Sequence, residues 1–232
     1  HYFAAFLERL GTTTIGLTVS TLVNILIFPP HYTGVITKNT ISLFDKLGTL
    51  LQLLSNDMQH KTRNKETYTQ FNQLMKDLEK TEQLCQYQRE EWKYHRHSKR
   101  ELREFHYEHK KLIVHRQMLY HVGNLMYVPI EKNKMLILKN SSIVAFMESI
   151  AHILKINDNV MNKTFDLLKS LHDELSSIKH DLSQILQDNH DFSPEMVILY
   201  ELIALEELVQ QLYHIQQIEL KHMYNDFSIS LH

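Results

Sequence analysis

The sequence predicts an all-α protein, one transmembrane helix followed by an antiparallel bundle of long helices, and three observations carry that reading. Its 232 residues include only five Gly and four Pro, whereas a sheet protein needs turn residues about every eight to twelve positions. Apolar residues recur at helical spacing along most of the chain. Near the start, Gly11 to Phe28 is a run of eighteen residues without a charged side chain.

At 1.5 Å per residue that run covers about 27 Å, close to the roughly 30 Å hydrocarbon core of a bilayer. Glu8 and Arg9 bound it on one side, and Pro29-Pro30 stop it on the other, because a second proline cannot extend a helix. Residues 1–30 are therefore expected to form a transmembrane helix. The chain opens inside an apolar segment at His1, and the expectation is a C-terminal part of a longer protein. Thr12, Gly16, Ser20 and Asn24 recur every four residues and share one slowly drifting face. Small and hydroxyl residues at that spacing let a second helix approach closely in lipid, so this stripe, with Arg9, is a candidate for transmembrane packing or for a transport pathway. Lys38, Lys46, Lys61, Arg63 and Lys65 follow the prolines, against Arg9 alone before the run. Under the positive-inside rule residues 31–232 form a cytoplasmic helical domain.

Within that domain, Ile36, Thr40, Leu43, Leu47, Leu50 and Leu54 keep a 3.5-residue repeat, which predicts a helix over Thr33 to Asn56. A second helix starts near Lys65 with Phe71, Leu74, Leu78, Cys85 and Trp92 inward. Nothing but charge interrupts it before Gly123, so one long helix bent near Ser98 is the simplest reading, with a short polar break there as the second. Val122 to Asn140, holding Gly123 and Pro129, is the expected irregular connection. Further helices are predicted from Ser141 to about Ile156, capped by Ser141 or Ser142, and from about Val160 to Leu186, with Phe165, Leu168, Leu175, Ile178, Leu182 and Ile185 inward. The last, from Pro194 to about Tyr224, has Ser193 as N-cap and Met196, Leu199, Ile203, Leu212 and Met223 inward.

Composition narrows function. A net charge of −2 offers no field for nucleic acid, and the single Cys85 excludes an internal disulfide. Cys85 falls at an inward position and reads as a small apolar filler. His95, His97, His106, His109, His115 and His121 crowd one segment, but Lys and Arg between them point to a solvated face rather than converging metal ligands. The bundle-type Glu-x-x-His pattern does not occur after Glu101, Glu104 or Glu108. The charged tract Arg89 to Lys111 reads as alternating ion pairs on an exposed helix. No phosphate loop, nucleophile elbow or paired-cysteine motif occurs; no catalytic residue, metal or cofactor is expected.

The pattern Glu8-Arg9, Thr14-x-Gly16, Asn24 and Pro29-Pro30-x-Tyr32 resembles the end of the membrane domain in the bacterial aromatic acid exporter family, within the wider fusaric-acid-resistance-like group. The resemblance implies that residues 1–30 are the last transmembrane helix of a membrane domain, with an Arg opening it, Pro29, Pro30 and Tyr32 as its exit motif, and a helical cytoplasmic domain after it. It further implies a bacterial plasma-membrane protein that exports small aromatic carboxylic acids. Expected partners are upstream transmembrane helices of the same protein, the lipid bilayer and a second copy of the chain. The soluble domain would regulate, gate or oligomerise. The rival expectation is a single-pass anchored helical scaffold or signalling adaptor without transport.

Overall fold

A computed structural model describes residues 2–27, 32–60, 62–94, 97–128, 140–156, 161–186 and 194–229. Seven helices and no strand occur among them: α1 (Tyr2–Ile27), α2 (Thr33–Gln59), α3 (Lys65–Tyr94), α4 (Lys99–Tyr127), α5 (Asn140–Lys155), α6 (Met161–Leu186) and α7 (Pro194–Ile229).

The 3.5-residue repeat of α2 turns inward as its spacing requires: Ile36, Thr40, Leu43, Leu47, Leu50 and Leu54 are all buried, with Phe44 and Leu51 widening the stripe. This broad face lets α2 pack against three helices, α3, α4 and α5, while α7 packs against α4 and α6, and α5 against α6. The pairing of α2 with α3 is antiparallel, because partners descend along α3 as they ascend along α2. Tyr32 meets Gln88, Asn39 meets Thr81, Lys46 meets Asp77 and Asp57 meets Thr67. The same logic makes α4 and α7 antiparallel, through Tyr107 with His222, Lys111 with Glu219 and His121 with Glu201.

Several expectations need correction. The long helix after Lys65 is two helices. Ser98 adopts an extended backbone (φ −75°, ψ 154°) and forms a capping box with Glu101, its hydroxyl accepting from the Glu101 amide while Glu101 Oε2 accepts from the Ser98 amide at 2.8 Å. That reciprocal bond starts α4 afresh. Gly123 does not break the chain: α4 runs on to Tyr127, and Gly123 lies buried against the Phe71 ring, 3.1 Å from where a Cβ would stand. Ser141 and Ser142 are inside α5, which begins at Asn140. Phe165 and Met223, expected inward, are 58% and 43% exposed, Met223 at the rim of an open cavity between helices. Ser193, Pro129 and His95 lie outside the described residues.

α1 stands apart from this packing. Residues 3–22 are exposed without exception, Phe3, Ile15 and Leu17 among them. No helix among the described residues is long and apolar enough to cross a membrane.

Candidate functional site

The residues singled out in α1 lie on a helix whose described side chains, residues 3–22, are all exposed. The Thr12 hydroxyl donates to the carbonyls of Glu8 (3.1 Å) and Arg9 (3.0 Å). Thr13, Thr14, Thr18 and Thr21 donate likewise, to Arg9, Leu10, Thr14 and Leu17, at 2.7–2.8 Å. Each threonine thus satisfies its own donor within the helix and presents its methyl outward. Gly11 and Gly16 have nothing within 4 Å of a hypothetical Cβ. Arg9, Thr12, Gly16 and Ser20 are exposed. Asn24 belongs to α1, its side chain outside the described residues, and Pro29 and Pro30 are outside them altogether.

Tyr32, the last residue of the Pro29-Pro30-x-Tyr32 pattern, is bonded into the bundle. Its amide donates to Gln88 Oε1 at 2.7 Å, and its ring lies 6.4 Å from that of Tyr87. Gln88 is 1% exposed, so a solvent-shielded amide side chain from α3 accepts from the backbone N–H ahead of α2. One turn on, the Ile36 amide bonds to the Tyr32 carbonyl at 2.9 Å. Both backbone groups of Tyr32 are therefore engaged.

Beyond this junction a cavity of about 590 Å³ opens between α2, α4, the end of α5 and α7. That volume falls within the range that holds a small organic ligand. Phe44, Ile153, Leu154, Val209 and Leu212 wall it with apolar surface. Glu108, Lys111 and Glu219 supply its charged end. Lys111 Nζ donates to Glu108 Oε1 at 2.9 Å and to Glu219 Oε2 at 2.6 Å, with only 14% of the Lys111 side chain and 3% of the Glu108 side chain exposed. Burial alone would pull the Lys111 ammonium down, but the two carboxylates outweigh it and hold its pKa above the ordinary lysine value. Burial, offset in part by Lys111 and reinforced by Glu108 and Glu104, pushes Glu219 up. Glu108 Oε2 is buried and has no hydrogen-bond partner among the described residues.

The histidine segment is not the uniform solvated face that its composition suggested. His115 is fully buried; its Nε2–H donates to the Leu43 carbonyl at 3.0 Å, Nδ1 lacks a partner, and the ring stands edge-on to Phe44. Burial lowers its pKa to about 4, opposed only by that backbone bond. His109 accepts from Arg89 at 2.6 Å, and burial, Arg89 and His106 lower its pKa. His121 Nδ1 meets the buried Glu201 at 2.5 Å, a carboxylate that also accepts from Asn124. Among the described residues no three His, Cys, Asp or Glu side chains are grouped to hold a metal ion. Cys85 is buried as expected, and burial pushes its thiol up to about 11.

Gln88 and the Glu108–Lys111–Glu219 group were not singled out from sequence. The available signal was position: Gln88 follows Leu74, Leu78, Thr81 and Cys85 at steps of three and four, and Glu108 lies between Phe105 and Leu112.

Comparison with known proteins gives relatives but no activity. The chain is 36% identical, over 242 aligned positions, to a UPF0421 protein of Bacillus cereus strain ATCC 10987, a match that takes in all of this chain and 66% of the relative. It is 36% identical to a UPF0421 protein of Bacillus thuringiensis subsp. konkukian, over 91% of this chain and 60% of that protein, and 30% identical to one of Oceanobacillus iheyensis, over 92% and 63%. The chain thus spans less than two thirds of the length of these curated relatives. No family model and no solved structure matches.

Proposed function

We propose that this chain is the C-terminal portion of an inner-membrane exporter of small aromatic carboxylic acids, with α1 as its last transmembrane helix and α2–α7 as a cytoplasmic domain that gates or regulates it. The observation that carries the reading is the exposure of α1. Its apolar side chains from residue 3 to 22 face no protein, and a contiguous apolar surface of that extent is unfavourable in water by about 25 cal/mol per Å². Lipid removes the penalty. The threonines suit the same solvent, since hydroxyls already bonded to their own helix bring no unsatisfied donor into hydrocarbon. The described side chains hold Glu8 and Arg9 but only part of the uncharged run, which continues in sequence to Phe28. Gly11 and Gly16, both open, leave room for an upstream helix of the same protein or of a second copy. The substrate class rests on the likeness of Arg9, Thr14, Gly16, Asn24 and Pro29-Pro30-x-Tyr32 to the exporter pattern.

Cysteine scanning tests the membrane placement, because Cys85 is the single native thiol and is buried. In intact membranes, cysteines introduced at Ile15, Val19 and Leu22 are expected to resist a charged maleimide, while Asn72→Cys on the exposed face of α3 reacts from the cytoplasmic side. Labelling of all four at one rate would remove α1 from the bilayer. For transport, cells lacking the full-length protein should accumulate added aromatic acids and regain export on complementation; Asn24→Leu should impair that export. If Asn24→Leu leaves both export and assembly untouched, the polar stripe has no pathway role.

A further inference from the structure

The cavity beside the junction carries an electrostatic imbalance that selects its occupant. At its charged end two carboxylates, Glu108 and Glu219, share one ammonium, Lys111. Two of the four carboxylate oxygens, Oε1 of Glu108 and Oε2 of Glu219, accept from Lys111, whereas the buried Oε2 of Glu108 accepts from nothing among the described residues. A buried acceptor without a donor costs about 1–3 kcal/mol, and more when charged. The group is thus short of one positive charge and one hydrogen-bond donor. The other charges along the cavity do not repair this. Lys38 and Asp45 are exposed and opposite in sign, and Lys155 is engaged with Gln52 at 2.6 Å.

An anion would fit badly here. It would meet two carboxylates and a lysine whose hydrogen bonds already go to both of them. A neutral apolar molecule would fill the walls and leave Glu108 unsatisfied. We propose that the cavity binds a small hydrophobic amine, its protonated nitrogen balancing the excess negative charge of the Glu108–Lys111–Glu219 group while its apolar body rests on Phe44, Val209 and Leu212. The site is separate from α1 and distinct in charge preference from any exported acid, so the amine is an effector of the bundle rather than a cargo. Its position gives it a mechanical outlet: Thr37 and Lys38, which line the cavity, follow Tyr32 by five and six residues, about one and a half turns of helix.

Titration calorimetry on the full-length protein in detergent, with 2-phenylethylamine and its acid counterpart 3-phenylpropionate as probes, tests the proposal. Saturable one-to-one binding of the amine is expected, weakened about tenfold or more by Glu108→Gln, with no binding of the acid. Leu212→Trp fills the cavity while leaving all three charged residues in place, and should abolish amine binding by itself. The proposal is overturned if the folded wild type takes up no amine at millimolar concentration or if the acid binds as well. It is equally overturned if a folded Glu108→Gln binds the amine unchanged. Should Glu108→Gln fail to fold, Leu212→Trp decides: amine binding that survives it rejects the cavity as the site.

Discussion

His115 offers a way to read the bundle's interior through its acid sensitivity. The imidazole is fully buried and its pKa falls from 6.5 to about 4. A folded-state pKa below the unfolded one means that the unfolded chain binds the proton first. Stability contributed by this group is complete above the unfolded value and is lost as pH falls from 6.5 towards 4. At about 1.4 kcal/mol per pH unit, the site removes about 3 kcal/mol over that window. His115→Gln keeps an N–H that can reach the Leu43 carbonyl and removes the titration. At neutral pH it should cost only about 1 kcal/mol, from the lost ring contact with Phe44. Urea unfolding followed by far-ultraviolet circular dichroism, at about pH 7.5 and about pH 4.5, measures both variants. Between those conditions the wild type should lose about 2–3 kcal/mol more than His115→Gln. Differencing the variants cancels other groups, including Asp77, whose pKa the Lys46 hydrogen bond lowers, and Glu219, raised by burial. Equal losses in the two proteins would refute the assignment of a neutral, proton-resisting His115.

Two further outcomes follow from packing and capping. Gly48→Ala should destabilise the chain by about 1–2 kcal/mol despite alanine's better helix propensity, because the new Cβ would stand 2.8 Å from the Ala151 carbonyl oxygen and push α5 off α2; the same unfolding assay reads it. Ser98→Ala should cost about 1 kcal/mol and shift the emission of Trp92, the single tryptophan, whose ring lies 4.9 Å from His97 and 4.6 Å from Phe105 across the α3–α4 junction.

The sequence made α2 legible because its six inward positions are apolar or, at Thr40, able to bond the preceding turn at 2.9 Å. In α4, residue type and helical slot point in different directions. Phe105, Glu108, Leu112, His115, Leu119 and Val122 follow steps of three and four, and every one of them is buried; a charged residue in such a row signals a buried partner as readily as a solvated face. The Ser98-x-x-Glu101 pattern was likewise present as a helix start, outweighed by the absence of Pro and Gly. What spacing could not supply is partnership. That Glu219 would lie opposite Lys111, or that α6 would leave Phe165 uncovered, depends on which helices become neighbours. Periodicity along one helix carries no such information.

The bond between Tyr32 and Gln88 also has a consequence for how force would travel. The backbone ahead of α2 is bonded to α3, and α2 is the one helix packed on α3, α4 and α5 together. A displacement entering at Tyr32 would therefore meet the Gln88 bond first and reach the three neighbours through the helix they share.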